Sequence, residues 1–186
     1  MGKKILFVID MQKDFIDGTL GSEDARLIVP NVVKLINDFR KDNPNGMIFS
    51  TIDTHDENYL KTLEGKKLPI SHCIRNTEGW KLNKDVKEEI EKHPNHLIKY
   101  FYKNSFGSID MVKEASLYLW NNIDSDDECI VVGLCTDICV ISNVLLLRAK
   151  FPYLKITCYE KCCAGTSKEA HNAAKLIMKV NQIDVV

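Results

Sequence analysis

Val131-Val132-Gly133-Leu134-Cys135-Thr136-Asp137-Ile138-Cys139-Val140 passes from a β-branched apolar strand, through a tight turn, into an apolar helix that continues Ile141-Ser142-Asn143-Val144-Leu145-Leu146-Leu147. The spacing predicts Cys139 in the first turn of that helix. Unpaired backbone N–H groups and the positive end of the helix dipole favour thiolate over thiol there. Free cysteine is also among the most buried residue types, so the segment alone leaves a nucleophile and a packing residue equally open.

Outward from this stretch the chain repeats the same alternation. Strands are predicted near residues 3–9, 47–52, 96–101, 128–133, 154–159 and 182–186, and helices near 27–41, 83–92, 108–122, 138–150 and 167–180. Near-continuous apolar strands separated by amphipathic helices indicate a parallel sheet covered on both faces. The predicted class is therefore α/β: a three-layer, Rossmann-like sandwich around a mostly parallel six-stranded sheet, formed as one domain over residues 1–186. The interval 54–82 has no clear periodicity, and a long irregular stretch in a compact domain is usually functional.

Bulk properties narrow the function classes. A formal net charge of −1 with no clustered basic face argues against a nucleic-acid partner. No apolar run approaches the ~20 residues that span a bilayer, so no membrane partner is expected. The apolar run Ile5-Leu6-Phe7-Val8-Ile9 is too short for a signal peptide and is followed by Asp10 and Asp14, which reads as a buried first strand. Seven scattered cysteines suit a reducing cytoplasm better than a disulfide framework, and their spacings do not match paired zinc knuckles.

In doubly wound sheets ligands bind at the carboxyl ends of the strands. Asp10 ends the first predicted strand, Asp53 the second, Lys103 follows the third, and Cys139 opens the helix after the fourth. These four would meet along one sheet edge. Asp10 is suited to take the thiol proton and return it to a departing amine, while Lys103 holds the charges together and lowers the thiol pKa. Asp53-Thr54-His55 and the later His72 offer one carboxylate and two imidazoles, a donor set for one divalent ion, zinc foremost, with iron(II) or manganese(II) as alternatives.

Three motifs resemble those of the isochorismatase-like cysteine hydrolases, in particular the nicotinamidase/pyrazinamidase branch. Asp10-Met11-Gln12-Lys13-Asp14-Phe15 is similar to the D-x-Q-x-D-F opening, Lys103-Asn104-Ser105-Phe106-Gly107-Ser108 to K-x-x-F-G-S, and Gly133 to Val140 to the G-x-x-T-D-x-C-V nucleophile turn. The resemblance spans nearly the whole chain. It implies a catalytic triad of Asp10, Lys103 and Cys139, a cis peptide before Cys135, and an oxyanion hole from the Cys135 and Cys139 amides. His72-Cys73-Ile74-Arg75-Asn76-Thr77-Glu78-Gly79 is similar to the H-C-x-x-x-T-x-G context of a metal-ligating histidine, which implies metal ligands Asp53, His55 and His72. Glu64 matches the position of a fourth, carboxylate ligand in some nicotinamidases.

The activity implied is hydrolysis of a small-molecule amide, nicotinamide or pyrazinamide, through a Cys139 thioester, with the metal positioning a pyridine nitrogen. Phe15, Phe106, Trp80 and Tyr102 are candidates to sandwich the aromatic ring. Asp56-Glu57-Asn58, Trp80 and Asp17-Gly18-Thr19-Leu20 depart from the family pattern at expected pocket walls. Another small amide or ureido hydrolase is therefore the first alternative, and a non-enzymatic redox or zinc-responsive module the second. The family is compatible with a homo-oligomer, although the sequence carries no interface signature. His93, His96 and His171 receive no role.

Overall fold

The structure is a computed structural model that describes residues 2–119 and 125–186. Six strands form one sheet in the order β3-β2-β1-β4-β5-β6: β1 (Lys4–Ile9), β2 (Met47–Asp53), β3 (Ile98–Lys103), β4 (Glu128–Leu134), β5 (Lys155–Ala164) and β6 (Asp184–Val185). Every pairing is parallel, so the sheet is wholly rather than mostly parallel. β1 is covered on both faces, with Ile5 through Ile9 at 0% exposure, which explains its uninterrupted apolar sequence. Phe7, Phe49 and Phe101 form an aromatic ladder across three neighbouring strands, with ring centroids 5.6 and 5.1 Å apart.

The helices are α1 (Lys13–Ile16), α2 (Glu23–Asp42), α3 (Leu63–Lys67), α4 (Lys84–Glu91), α5 (Ile109–Tyr118), α6 (Ile141–Lys150) and α7 (Lys168–Val180). α2 starts earlier than residue 27 because the Ser22 hydroxyl accepts from Ala25 N and Glu23 and Asp24 complement the dipole. The interval 54–82 is not structureless. It holds a 3-10 turn at Tyr59–Lys61 and then α3, capped by Thr62, whose hydroxyl accepts from Gly65 N at 3.0 Å. Residues 120–122 of the helix expected over 108–122 lie outside the described residues.

The sheet reverses its winding between β1 and β4, and at such a switch point the carboxyl ends splay into a crevice. Gly133 permits the two strand ends to converge. Its φ is +126°, and a Cβ there would lie 2.1 Å from the Ile9 carbonyl oxygen. Asp10 and the turn after β4 consequently face one another.

Away from the crevice, Glu89 ties α4 to α2. Its carboxylate accepts from Arg40 Nη2 at 2.6 Å, Asn37 Nδ2 at 3.0 Å and Lys92 Nζ at 2.6 Å. Burial acts to raise this carboxyl, but the donors outweigh it and bring it down to about 2 from 4.5. A depressed carboxyl stabilises the fold above its unfolded value, and that contribution is lost as pH falls through the folded value. Glu89→Gln should therefore melt lower than wild type near neutrality, and the gap should close between about pH 4.5 and pH 2 in melts across that range.

Candidate active site

Asp10, Lys103 and Cys139 meet. Lys103 Nζ lies 2.6 Å from Asp10 Oδ2 and 3.6 Å from Cys139 Sγ. All three are buried. Asp10 follows β1 with a left-handed φ of 47°, and Thr51 fixes it twice: the Thr51 hydroxyl accepts from Asp10 N at 3.1 Å and donates to Asp10 Oδ1 at 2.6 Å. Among the described residues, Oδ2 is left with its ion-pair contact and no well-aligned hydrogen bond of its own.

Cys139 differs locally from expectation. Thr136–Val140 is a π-helical turn, and α6 begins only at Ile141. The Cys135 carbonyl accepts from both Ile138 N at 3.1 Å and Val140 N at 3.0 Å, which widens the first turn and projects Cys139 toward Lys103. The Leu134–Cys135 peptide is cis, as the resemblance implied.

The electrostatics also differ from a preformed thiolate. Burial pushes the Cys139 thiol well above its ordinary value, Asp10 adds to the rise, and Lys103 only partly opposes it. Burial likewise raises Asp10 against the pull of Lys103. Burial works to lower Lys103, yet Asp10, Cys139 and Asp53 together hold it high and charged. The site therefore stores the proton on the thiol beside a strengthened carboxylate base, with a fixed cation to receive the negative charge.

A second cluster lies against the first. Asp53 Oδ1 is 3.6 Å from Lys103 Nζ, while its Oδ2 is 3.0 Å from His55 Nε2 and 3.6 Å from His72 Nε2. Glu64 Oε1 is 3.8 Å from both imidazole nitrogens, so α3 brings the fourth expected ligand beside this cluster. Ligand atoms about 2.0–2.1 Å from a tetrahedral ion stand about 3.3 Å apart, and the observed separations bracket that value. His72 Nδ1 is 2.9 Å from the Ile70 carbonyl, to which it donates, leaving the Nε2 lone pair for a ligand. Among the described residues, buried His55 Nε2 has no aligned hydrogen-bond partner. Asp53, His55 and His72 thus form a buried group whose donor atoms fit a metal ion.

Residues that sequence reading passed over hold these clusters in place. Gln12 donates to the Asp53 carbonyl at 2.8 Å and accepts from Asp53 N at 2.7 Å, and also donates to the Trp80 carbonyl at 2.8 Å. Asp14 Oδ2 accepts from Cys73 N at 2.7 Å, anchoring the His72 loop. Asn143, fully buried, donates to the Cys139 carbonyl and accepts from Ser108 N, each at 2.8 Å. Gln12 and Asp14 stood inside the quoted opening motif; only their burial distinguishes them from ordinary turn residues. His93, given no role, is buried with Nε2 on the Gly46 carbonyl.

The ring candidates divide. Phe15 packs against His72 at 5.5 Å, beside the metal-type donors. Trp80 stacks on Tyr102 at 5.8 Å and donates from Nε1 to the Thr54 hydroxyl at 2.8 Å. Phe106 is 48% exposed, and among the described residues its ring pairs with none of the other three.

A sequence profile described as the isochorismatase domain matches residues 4–186. The chain belongs to the isochorismatase family. A search of curated protein sequences gives no match. Among solved structures, this isochorismatase-family hydrolase is similar to the nicotinamidase PncA from Bacillus subtilis, with 25% identity, 99% of each chain covered and a TM-score of 0.83. The pyrazinamidase/nicotinamidase from Streptococcus mutans UA159 shares 22% identity over 99% of this chain and 100% of that one, with a TM-score of 0.84. The pyrazinamidase of Pyrococcus horikoshii, solved in complex with zinc, shares 22% identity over 99% and 98%, with a TM-score of 0.79. Among the described residues no helix is long and apolar enough to cross a membrane.

Proposed function

We propose that this hydrolase cleaves the carboxamide of a small heteroaromatic amide, nicotinamide first, to the acid and ammonia. The observation that carries this reading is the buried Asp10–Lys103–Cys139 set lying one lysine away from the Asp53–His55–His72 donors. A general thiol hydrolase needs only the first group. A second, metal-type group beside it suits a substrate with a ring nitrogen to anchor. The similarity to nicotinamidase and pyrazinamidase structures supports the same substrate class.

Asp10 takes the Cys139 proton as sulfur attacks the carboxamide carbon, and Lys103 stabilises the charge that develops between them. The Cys135 and Cys139 amides would hold the tetrahedral oxyanion, an arrangement worth about 10²–10³ in rate per donor. Asp10 then gives its proton to the departing nitrogen, releasing ammonia and leaving a thioester. Water, deprotonated by Asp10, attacks that thioester, and the acid leaves as the proton returns to Cys139. Phe15 and Trp80 would flank the ring. Asp53, His55 and His72, with Glu64 beside them, would hold a divalent ion, zinc foremost, which supplies a Lewis-acid anchor for a ring nitrogen.

The test is metal analysis of the purified protein together with nicotinamide-dependent ammonia release. About one equivalent of metal and turnover of nicotinamide are expected, and His72→Ala should lose most of the metal. Turnover of short aliphatic amides with none of nicotinamide would sink the substrate assignment.

A further inference from the structure

The far side of the nucleophile turn is held by α7, and the geometry points to His171 as a positioning residue that sets the Cys139 turn through the Thr136 hydroxyl. Thr136 stands between Cys135 and Cys139 at the start of the π-helical turn and is fully buried. Its Oγ1 lies 2.9 Å from His171 Nδ1, its one hydrogen-bond partner among the described residues. This contact fixes the tautomer. If Nδ1 carried the hydrogen, the buried Thr136 O–H would be left without an acceptor, which is costly. The hydroxyl therefore donates to Nδ1, and the imidazole hydrogen sits on Nε2, on a ring lining an open cleft of about 360 Å³ shared with Leu27 and Gly165.

A neighbouring tie acts in the same sense: Asp137 Oδ1 accepts from Thr166 N at 2.8 Å, two residues before α7 begins. The packing is close, since a Cβ at Gly165 would lie 2.7 Å from Asp137 Oδ1 and 2.8 Å from His171 Cβ. The turn is thus clasped between Asn143 in α6 and His171 in α7. The second contact can be lost by protonation, because an imidazolium has no lone pair at Nδ1. Burial, then Lys175 on α7 itself, hold this histidine below 6.5, while Glu160 on β5, Asp137 on the turn and Asp24 on α2 act the other way. Lys161 and Lys168 also line the cleft. The contact is therefore intact at neutral pH and fails only in acid.

This inference rests on Cys139 as the reactive thiol but not on any substrate. Its test is the rate of iodoacetamide alkylation at Cys139, resolved by peptide mass spectrometry on the full chain. His171→Leu and Thr136→Val should each slow alkylation about tenfold at pH 7.5, the loss associated with about 1.4 kcal/mol, and the double variant should be no slower than either. His171→Asn, whose amide oxygen accepts without titrating, and Thr136→Ser should stay within about twofold of wild type. His171→Asn should also lack the extra acid-side fall that wild type shows below about pH 6.5. Rates in His171→Leu and Thr136→Val within twofold of wild type, or His171→Asn as slow as His171→Leu, would overturn the assignment. A failure to hydrolyse nicotinamide would leave this readout untouched.

Discussion

Cys139→Ala should reduce amide-dependent ammonia release by about 10⁴–10⁶-fold, the scale seen when the nucleophile of a hydrolytic triad is removed. Among the described residues, Cys139 is the thiol that Lys103 reaches, at 3.6 Å. Cys135 is the nearest thiol in sequence, yet Asp137 rather than Asp10 is the larger of the two carboxylate influences on it, and among the described residues Lys103 makes its thiol contact to Cys139 instead. The variant should fold and load metal normally, because removing one sulfur leaves the Asp10–Lys103 ion pair and the Asp53–His55–His72 group unaltered. Melting temperature and metal content measured beside activity separate these outcomes. A variant that keeps a tenth of wild-type turnover would remove Cys139 from the mechanism.

The second large effect concerns Lys103. This one buried ammonium faces Asp10, Asp53 and Cys139. Lys103→Met leaves two buried carboxylates without their cation, and breaking a buried pair in this way costs about 3–5 kcal/mol. The loss should depend on pH in a definite direction. Asp10 is already raised above 3.8 by burial, and without Lys103 it is raised further. A carboxyl raised in the folded state favours folding while protonated, and that contribution disappears as pH rises through the folded value. The deficit in Lys103→Met should therefore be smallest near about pH 4 and grow toward neutrality, as urea midpoints across that range would show. Activity should fall with it, since a protonated Asp10 cannot accept the thiol proton. An unchanged urea midpoint at pH 7 would mean that the carboxylates are not held charged together as the structure depicts.

The sheet was legible because parallel strands buried on both faces are largely apolar, and Ile5–Ile9 of β1 and Cys129–Val132 of β4 read that way, while β2 keeps the pattern only up to Phe49 before Ser50 and Thr51. The positions of Asp10, Asp53, Lys103 and Cys139 followed from strand ends alone. Two kinds of feature were hidden. The π-helical turn depends on one carbonyl serving two amides, and its residues, a Thr-Asp pair followed by Ile, Cys and Val, are those an ordinary helix start could carry. The raised thiol of Cys139 is a consequence of burial, which Lys103 does not overcome, and burial at that depth is a property of the assembled crevice. α3, at five residues, is too short to display a helical period, although Thr62 ahead of it was a usable cap signal. Glu64 came from family resemblance. Its local sequence is that of any surface turn. His171 was passed over because its partner Thr136 lies 35 positions away.

The amide of Gln12 works as an extra rung joining the end of β1 to the end of β2, gripping the Asp53 main chain by both its N–H and its carbonyl. Asp10 and Asp53, the carboxylates of the two clusters, are thereby mounted on a common plank, while the excursion from Asp56 to Gly79 is tied back to it where His55 N meets the Cys73 carbonyl and Asp14 accepts from Cys73 N. Changes in the outer walls of that excursion therefore leave the spacing of the two carboxylates alone, as long as Glu64 and His72 keep their places. Asp56-Glu57-Asn58 stand in that outer part, whereas Trp80 is pinned to the plank itself through its carbonyl.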